Sequence, residues 1–279
     1  MSGQPHIRRL PMQAAYGWLM RGGDLLGRGG VALVRIAAVL LLISMVQLLP
    51  LIGVLVLILI TPALTAGLLN VFRALEQQQG ASVDQLLVGL GRAETRLRLL
   101  GLGGLLLLGT LAALAVLFGW LAPQMDLAAL AEWSSDPAAV NQDPEAFLAL
   151  FDGVNVVGGL VLGMLLMLLV LGALFFAVPL VFFWNWPLLV ALLWALRALW
   201  VNWRAMLAYV LLFGLFSGLV TLALGTAGGL LVQVLTLMLS MFVQLLLAAA
   251  QWRAFGEVFP PPDQPAVHDD HDRGAGLSA

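Results

Sequence analysis

Residues Val157–Phe182 read VGGLVLGMLLMLLVLGALFFAVPLVF, a run of 26 positions without one charged side chain. A bilayer core of about 30 Å takes about 20 helical residues, so this stretch reads as a transmembrane helix. Five others read the same way: Val31–Leu49, Ile52–Phe72, Leu99–Leu121, Ala205–Leu224 and Gly229–Trp252. Arg35 is the one charged residue inside these spans, near the start of its own, where a long stem reaches the headgroups. Lipid offers the backbone no hydrogen-bond partners, and the period-two alternation of a barrel is missing, so the spans are helices. The fold class expected is all-α: a polytopic membrane protein with six transmembrane helices and short interfacial amphipathic helices.

Composition agrees. Of 279 residues, 62% are apolar and 10% charged, against about 25% charged in soluble domains. That excludes an ordinary cytosolic enzyme and a disordered chain. A net charge of −2 gives no basic field for nucleic acid. Cysteine is absent, which removes disulfides, thiolate metal sites and cysteine nucleophiles. All 13 basic residues are arginine.

The arginines set the topology. They fall in the N-terminal segment (Arg8, Arg9, Arg21, Arg28, with Arg35 at its edge), after span two (Arg73, Arg92, Arg96, Arg98), after span four (Arg197, Arg204) and in the tail (Arg253, Arg273). Alternate loops hold none, and the longest carries Asp126, Glu132, Asp136, Asp143, Glu145 and Asp152. Both termini are therefore expected in the cytoplasm. No cleavable signal peptide is apparent, because no compact apolar core precedes Val31. The organisation expected is a cytoplasmic N-terminal segment over 1–30 and a six-helix domain over 31–252 with an exported acidic loop at 123–155. A disordered cytoplasmic tail over 253–279 follows.

Three elements precede the three pairs of spans. Tyr16–Arg28 is amphipathic, Ser82-Val83-Asp84-Gln85 is a capping box, and Pro187–Arg204 opens on a proline suited to a first helical turn. The reading is three tandem units, each an interfacial helix followed by a transmembrane hairpin.

Candidate sites are few. Gln233, Thr236, Ser240, Gln244 and Gln251 fall on one face of span six, a polar stripe suited to interhelical hydrogen bonds or to a conduit. Trp194, Arg197, Trp200, Trp203 and Arg204 form a candidate collar at the lipid interface, within an aromatic belt that holds seven of the nine tryptophans. Gly159/Gly163 and Gly214/Gly218 have small-xxx-small spacing, for packing within the chain or between copies. Pro62 and Pro179 predict kinks. The histidines (His6, His268, His271) lie in the tails, and no carboxylate lies deep in a span, which disfavours proton-coupled transport. Motifs of zinc proteases, serine hydrolases and phosphate-binding loops are missing, so no catalytic residue, metal or cofactor is expected.

Pro11-x-x-x-x-Tyr16-Gly17-Trp18, Thr61-Pro-Ala-Leu-Thr-Ala-Gly-Leu68, Phe72-Arg-Ala-Leu-Glu76 and Asn202-Trp-Arg204 resemble, in order, a family of uncharacterised Gram-negative bacterial inner-membrane proteins. More distantly, the helix-plus-hairpin plan is similar to the membrane domain of some bacterial glycerophosphodiester phosphodiesterases. That resemblance implies a multi-helix inner-membrane fold and brings no catalytic residues with it. The function expected is a non-enzymatic structural, assembly or lipid-interacting component of the envelope. A transporter or channel for a small or amphipathic solute is the alternative, and an interfacial lipid enzyme using Asp24, Asp84 and Glu94 comes third. The partners expected are membrane lipids, with a homo-oligomer or another membrane protein as the protein contacts.

Overall fold

The computed structural model describes residues 6–91, 93–126, 151–225 and 230–260, and the isolated residues 129, 145 and 147. Most of the acidic loop, the turn after Gly225, the side chain of Gln233 and the tail over 261–279 lie outside the described residues. Among those described, the chain is all helix, with no strand. The helices are α1 (Ala14–Ser44), α2 (Ile52–Glu76), α3 (Val83–Gly91), α4 (Ala93–Leu121), α5 (Val156–Phe183), α6 (Leu188–Val201), α7 (Trp203–Gly225) and α8 (Leu230–Val258).

Among the described residues, five segments are long and apolar enough to cross a membrane: Ala14–Leu48, Ile52–Glu76, Ala93–Gln124, Val156–Phe183 and Thr236–Val258. The count is six if α6 and α7, which meet at 83°, make one broken span. The expected fifth span therefore differs in form, because its apolar run joins α6 through a sharp elbow. Residue 202 there is followed at once by a new helix start, so the backbone hydrogen-bond ladder is interrupted.

The first span also differs. The amphipathic segment and the span form one helix of 31 residues, broken only at Gly30 (φ 48, ψ −135). Only glycine reaches that backbone region without strain. The capping box forms as its spacing predicts: Gln85 N–H donates to Ser82 Oγ at 3.4 Å, and Ser82 N–H donates to Gln85 Oε1 at 3.1 Å. α2 and α5 continue through Pro62 and Pro179, both buried.

Burial is uneven along the helices. In α4 the buried residues run from Thr95 to Gly109, in α5 most run from Gly172 to Val181, and in α2 most run from Pro62 to Leu75. All of these lie toward the arginine-rich end. The opposite halves expose Leu111, Leu114, Leu160, Leu165 and Leu55. Lipid is as apolar as leucine, so association depends on close packing rather than on burial from water. That packing uses glycine: a methyl group at Gly67 would strike the Leu86 carbonyl, and one at Gly103 would strike the Leu59 carbonyl. Gly159 and Gly163 also face α4, with looser approaches: an added methyl group would lie 3.0 Å from the Trp120 ring and 3.3 Å from the Ala113 carbonyl.

The contact at Gly103 yields a test. Gly103→Leu is expected to lower the free energy of unfolding in mixed micelles by about 1–3 kcal/mol. Gly104→Leu, where an added Cβ meets no atom within 4 Å among the described residues, is expected to change it little.

Candidate functional site

The polar groups gather where the buried core sits. α2 ends on Glu76, and Glu257 lies in the last turn of α8. A carboxylate there opposes the partial negative charge of a helix C-terminus, so each benefits from strong donors. Trp252 Nε1 donates to Glu76 Oε2 at 2.7 Å, and Arg253 Nη1 pairs with Glu76 Oε1. Trp18 Nε1 donates to Glu257 Oε2 at 3.0 Å, and Arg21 Nη2 pairs with Glu257 Oε1. One indole and one guanidinium thus serve each carboxylate, and α8 is fastened to α2 by its donors and to α1 by its acceptor. A third tie joins α4 to the turn after α5. Arg98 Nη1 donates to the Asn185 carbonyl at 2.7 Å and to Asn185 Oδ1 at 2.8 Å, where Asn185 takes φ 52.

The elbow between α6 and α7 is a fourth point. Asn202 is buried; its Oδ1 accepts from Leu10 N–H at 2.8 Å, and its Nδ2 donates to the Arg8 carbonyl at 3.1 Å. Arg8 N–H in turn donates to the Val258 carbonyl at 2.9 Å. One amide therefore pins the N-terminal segment between the elbow and the end of α8. Beneath these ties lies an aromatic cluster. Trp184 contacts Trp186, Phe255 and Phe259 at ring-centroid distances of 5.2, 5.7 and 5.7 Å, and Trp186 contacts Trp194 at 5.8 Å.

The expected collar divides in two. Trp194 joins the aromatic cluster, with Arg197 over its ring at 5.5 Å. Trp200 and Trp203 point outward, 82% and 52% exposed, and Arg204 stands over Trp203 at 5.4 Å. Neither Arg197 nor Arg204 forms an ion pair among the described residues. The belt reading fails for Trp18, which is fully buried and serves as a donor to Glu257.

The polar stripe divides as well. Gln251 is buried and its Nε2 donates to the Phe175 carbonyl of α5 at 2.7 Å. Thr236, Ser240 and Gln244 are exposed, and the Ser240 hydroxyl donates to the Leu237 carbonyl of its own turn. Gly214 and Gly218 differ from the expectation of a packed face: an added methyl group meets nothing within 4 Å at either.

A lateral groove of about 710 Å³ lies between α1 and α8, lined by Gly27, Gly30, Ala38, Met238, Met241 and other apolar residues. Among the described residues, no member of the polar stripe lines it. A hollow of about 490 Å³ is bordered by Arg28, Leu75, Gln78 and Gly80. Among the described residues no three His, Asp or Glu side chains come together in a metal-holding group. Glu94 lies 3.9 Å from Arg98, while Asp24 and Asp84 are exposed without an ion pair. His268 and His271 lie outside the described residues.

The carboxylate ties carried little sequence signal, because Glu76 and Glu257 each look like a solvated helix end. Tryptophan and arginine near the same edge were the available clue. Removing the amide at the elbow tests the assembly at this end. Asn202→Ala is expected to free the N-terminal segment, so that trypsin cleaves after Arg8 and Arg9 faster than in the unaltered chain; an unchanged rate contradicts the pinning.

No known protein family, curated protein or solved structure matches this chain.

Proposed function

We propose that the chain is a non-enzymatic integral component of the bacterial inner membrane, structural, assembling or lipid-interacting, with both termini cytoplasmic. On this reading α6 lies along the cytoplasmic headgroup layer. The observation that carries it is the 83° elbow together with the two faces of α6. Ala191, Ala195 and Ala198 are buried on one face, against the core that includes α5, while Leu189, Leu193 and Trp200 are 73%, 68% and 82% exposed on the other. A helix set across the spans with an outward apolar stripe suits the boundary between acyl chains and headgroups. Tryptophan favours that depth. Arg197 and Arg204, stacked on indoles and without an ion pair among the described residues, are available to lipid phosphate. Near an anionic leaflet such a cation contributes about 1 kcal/mol.

The solute-pathway alternative draws on the exposed Thr236, Ser240 and Gln244. It has less support, because the groove of about 710 Å³ beside α8 has an apolar lining that excludes them. Carboxylates that could do acid–base work, Glu76 and Glu257, are engaged in holding helices together.

The native chain has no cysteine, so a single label can be placed cleanly. With Trp200→Cys carrying a nitroxide in vesicles containing phosphatidylglycerol, power saturation is expected to place the label at phosphate depth. A label as accessible as one in bulk water, or one at the bilayer centre, contradicts the placement.

A further inference from the structure

Gln244 is the midpoint residue of α8, about 20 Å from either end at 1.5 Å per residue. Its side chain is exposed and makes no hydrogen bond among the described residues. Two turns on, on the same face, Gln251 is buried and bonded to Phe175. The difference lies in what stands opposite. Near Gln251 the face meets α5 and the start of α7, where the Tyr209 hydroxyl donates to the Leu247 carbonyl at 3.4 Å. Beyond Tyr209, an added methyl group at Gly214 or Gly218 of α7 meets nothing within 4 Å among the described residues. Leu237, beside Gln244 on the helix face, is 42% exposed.

A primary amide facing hydrocarbon at the middle of a span forgoes two donors and an acceptor that water would satisfy. Lipid headgroups do not reach that depth. We propose that this face of α8, centred on Gln244 with Ser240 and Leu237, is an interface for a second copy of this chain. The choice of occupant follows from hydrogen-bond complementarity. An amide carries both donor and acceptor, so two identical faces related by a twofold axis satisfy each other, each Gln244 donating to the other's carbonyl oxygen. A purely apolar partner leaves the amide as bare as lipid does. This inference needs α8 to span the bilayer and is independent of any role of α6.

The test uses single cysteines in the full chain, reconstituted in phospholipid vesicles. Oxidation is expected to give a disulfide-linked dimer with Ser240→Cys and none with Phe242→Cys, which is exposed on the opposite face. Single-molecule photobleaching is expected to show two-step traces for the unaltered chain. Gln244→Leu removes both reciprocal contacts and should weaken dimerisation roughly 10–1,000-fold, given about 0.6–2 kcal/mol for each polar contact in lipid, while Gln244→Asn keeps it. Helical content and Trp emission serve as the check that Gln244→Leu is folded. One-step traces at every density, equal cross-linking at positions 240 and 242, or a folded Gln244→Leu that dimerises fully would each overturn the proposal.

Discussion

Two carboxylates at helix ends, each held by an indole N–H and a guanidinium, fix α8 between α1 and α2 at the arginine-rich end. Their energy is modest. The paired side chains are 22–50% exposed, and such pairs are worth roughly 0–1 kcal/mol each in water. What they supply is register. Leucine-rich helices slide and rotate against one another with little change in contact, whereas a charge-assisted bond to one carboxylate oxygen admits a single arrangement. The larger contribution comes from the layer beneath, where Trp18, Phe72, Phe176 and Phe259 are fully buried.

The same ties explain why the molecule is close-packed at one end and open at the other. Asn202, Glu76, Glu257 and Asn185 all lie where helices enter or leave the arginine-rich side. Toward the opposite end, Tyr209 and Leu247 make the last hydrogen bond between α7 and α8 found among the described residues. There Gly214, Gly218 and Gln244 have no partner among the described residues. A protein built in this way keeps a rigid collar at one membrane face and presents helix surfaces to lipid or to another protein along the other half.

Much of this plan was legible in the residues. The positions of five apolar spans, the capping box at Ser82 and the Gly159/Gly163 contact follow from apolar length, glycine spacing and side-chain chemistry. Helix facing did not follow, for a physical reason. In α5 the exposed Leu160 and Leu165 and the buried Leu174 and Leu180 are the same residue type, so hydropathy carries no orientation. The stripe on α8 was visible as a face, but its split between a satisfied Gln251 and a bare Gln244 depends on where α7 turns away. Glu76 and Glu257 were hidden because a terminal carboxylate looks the same whether water or tryptophan meets it.

The central claim is that the helices are held tightly at the arginine-rich end and loosely at the other. Pulsed electron–electron distance measurements on double-cysteine variants in lipid test it most directly. One pair spans the tied end (Gln78→Cys with Gly256→Cys), and the other spans the open end (Leu48→Cys with Met238→Cys). The account predicts a narrow distance distribution for the first pair and a broad one for the second. Equal widths, or a broad distribution at the tied end, would contradict it.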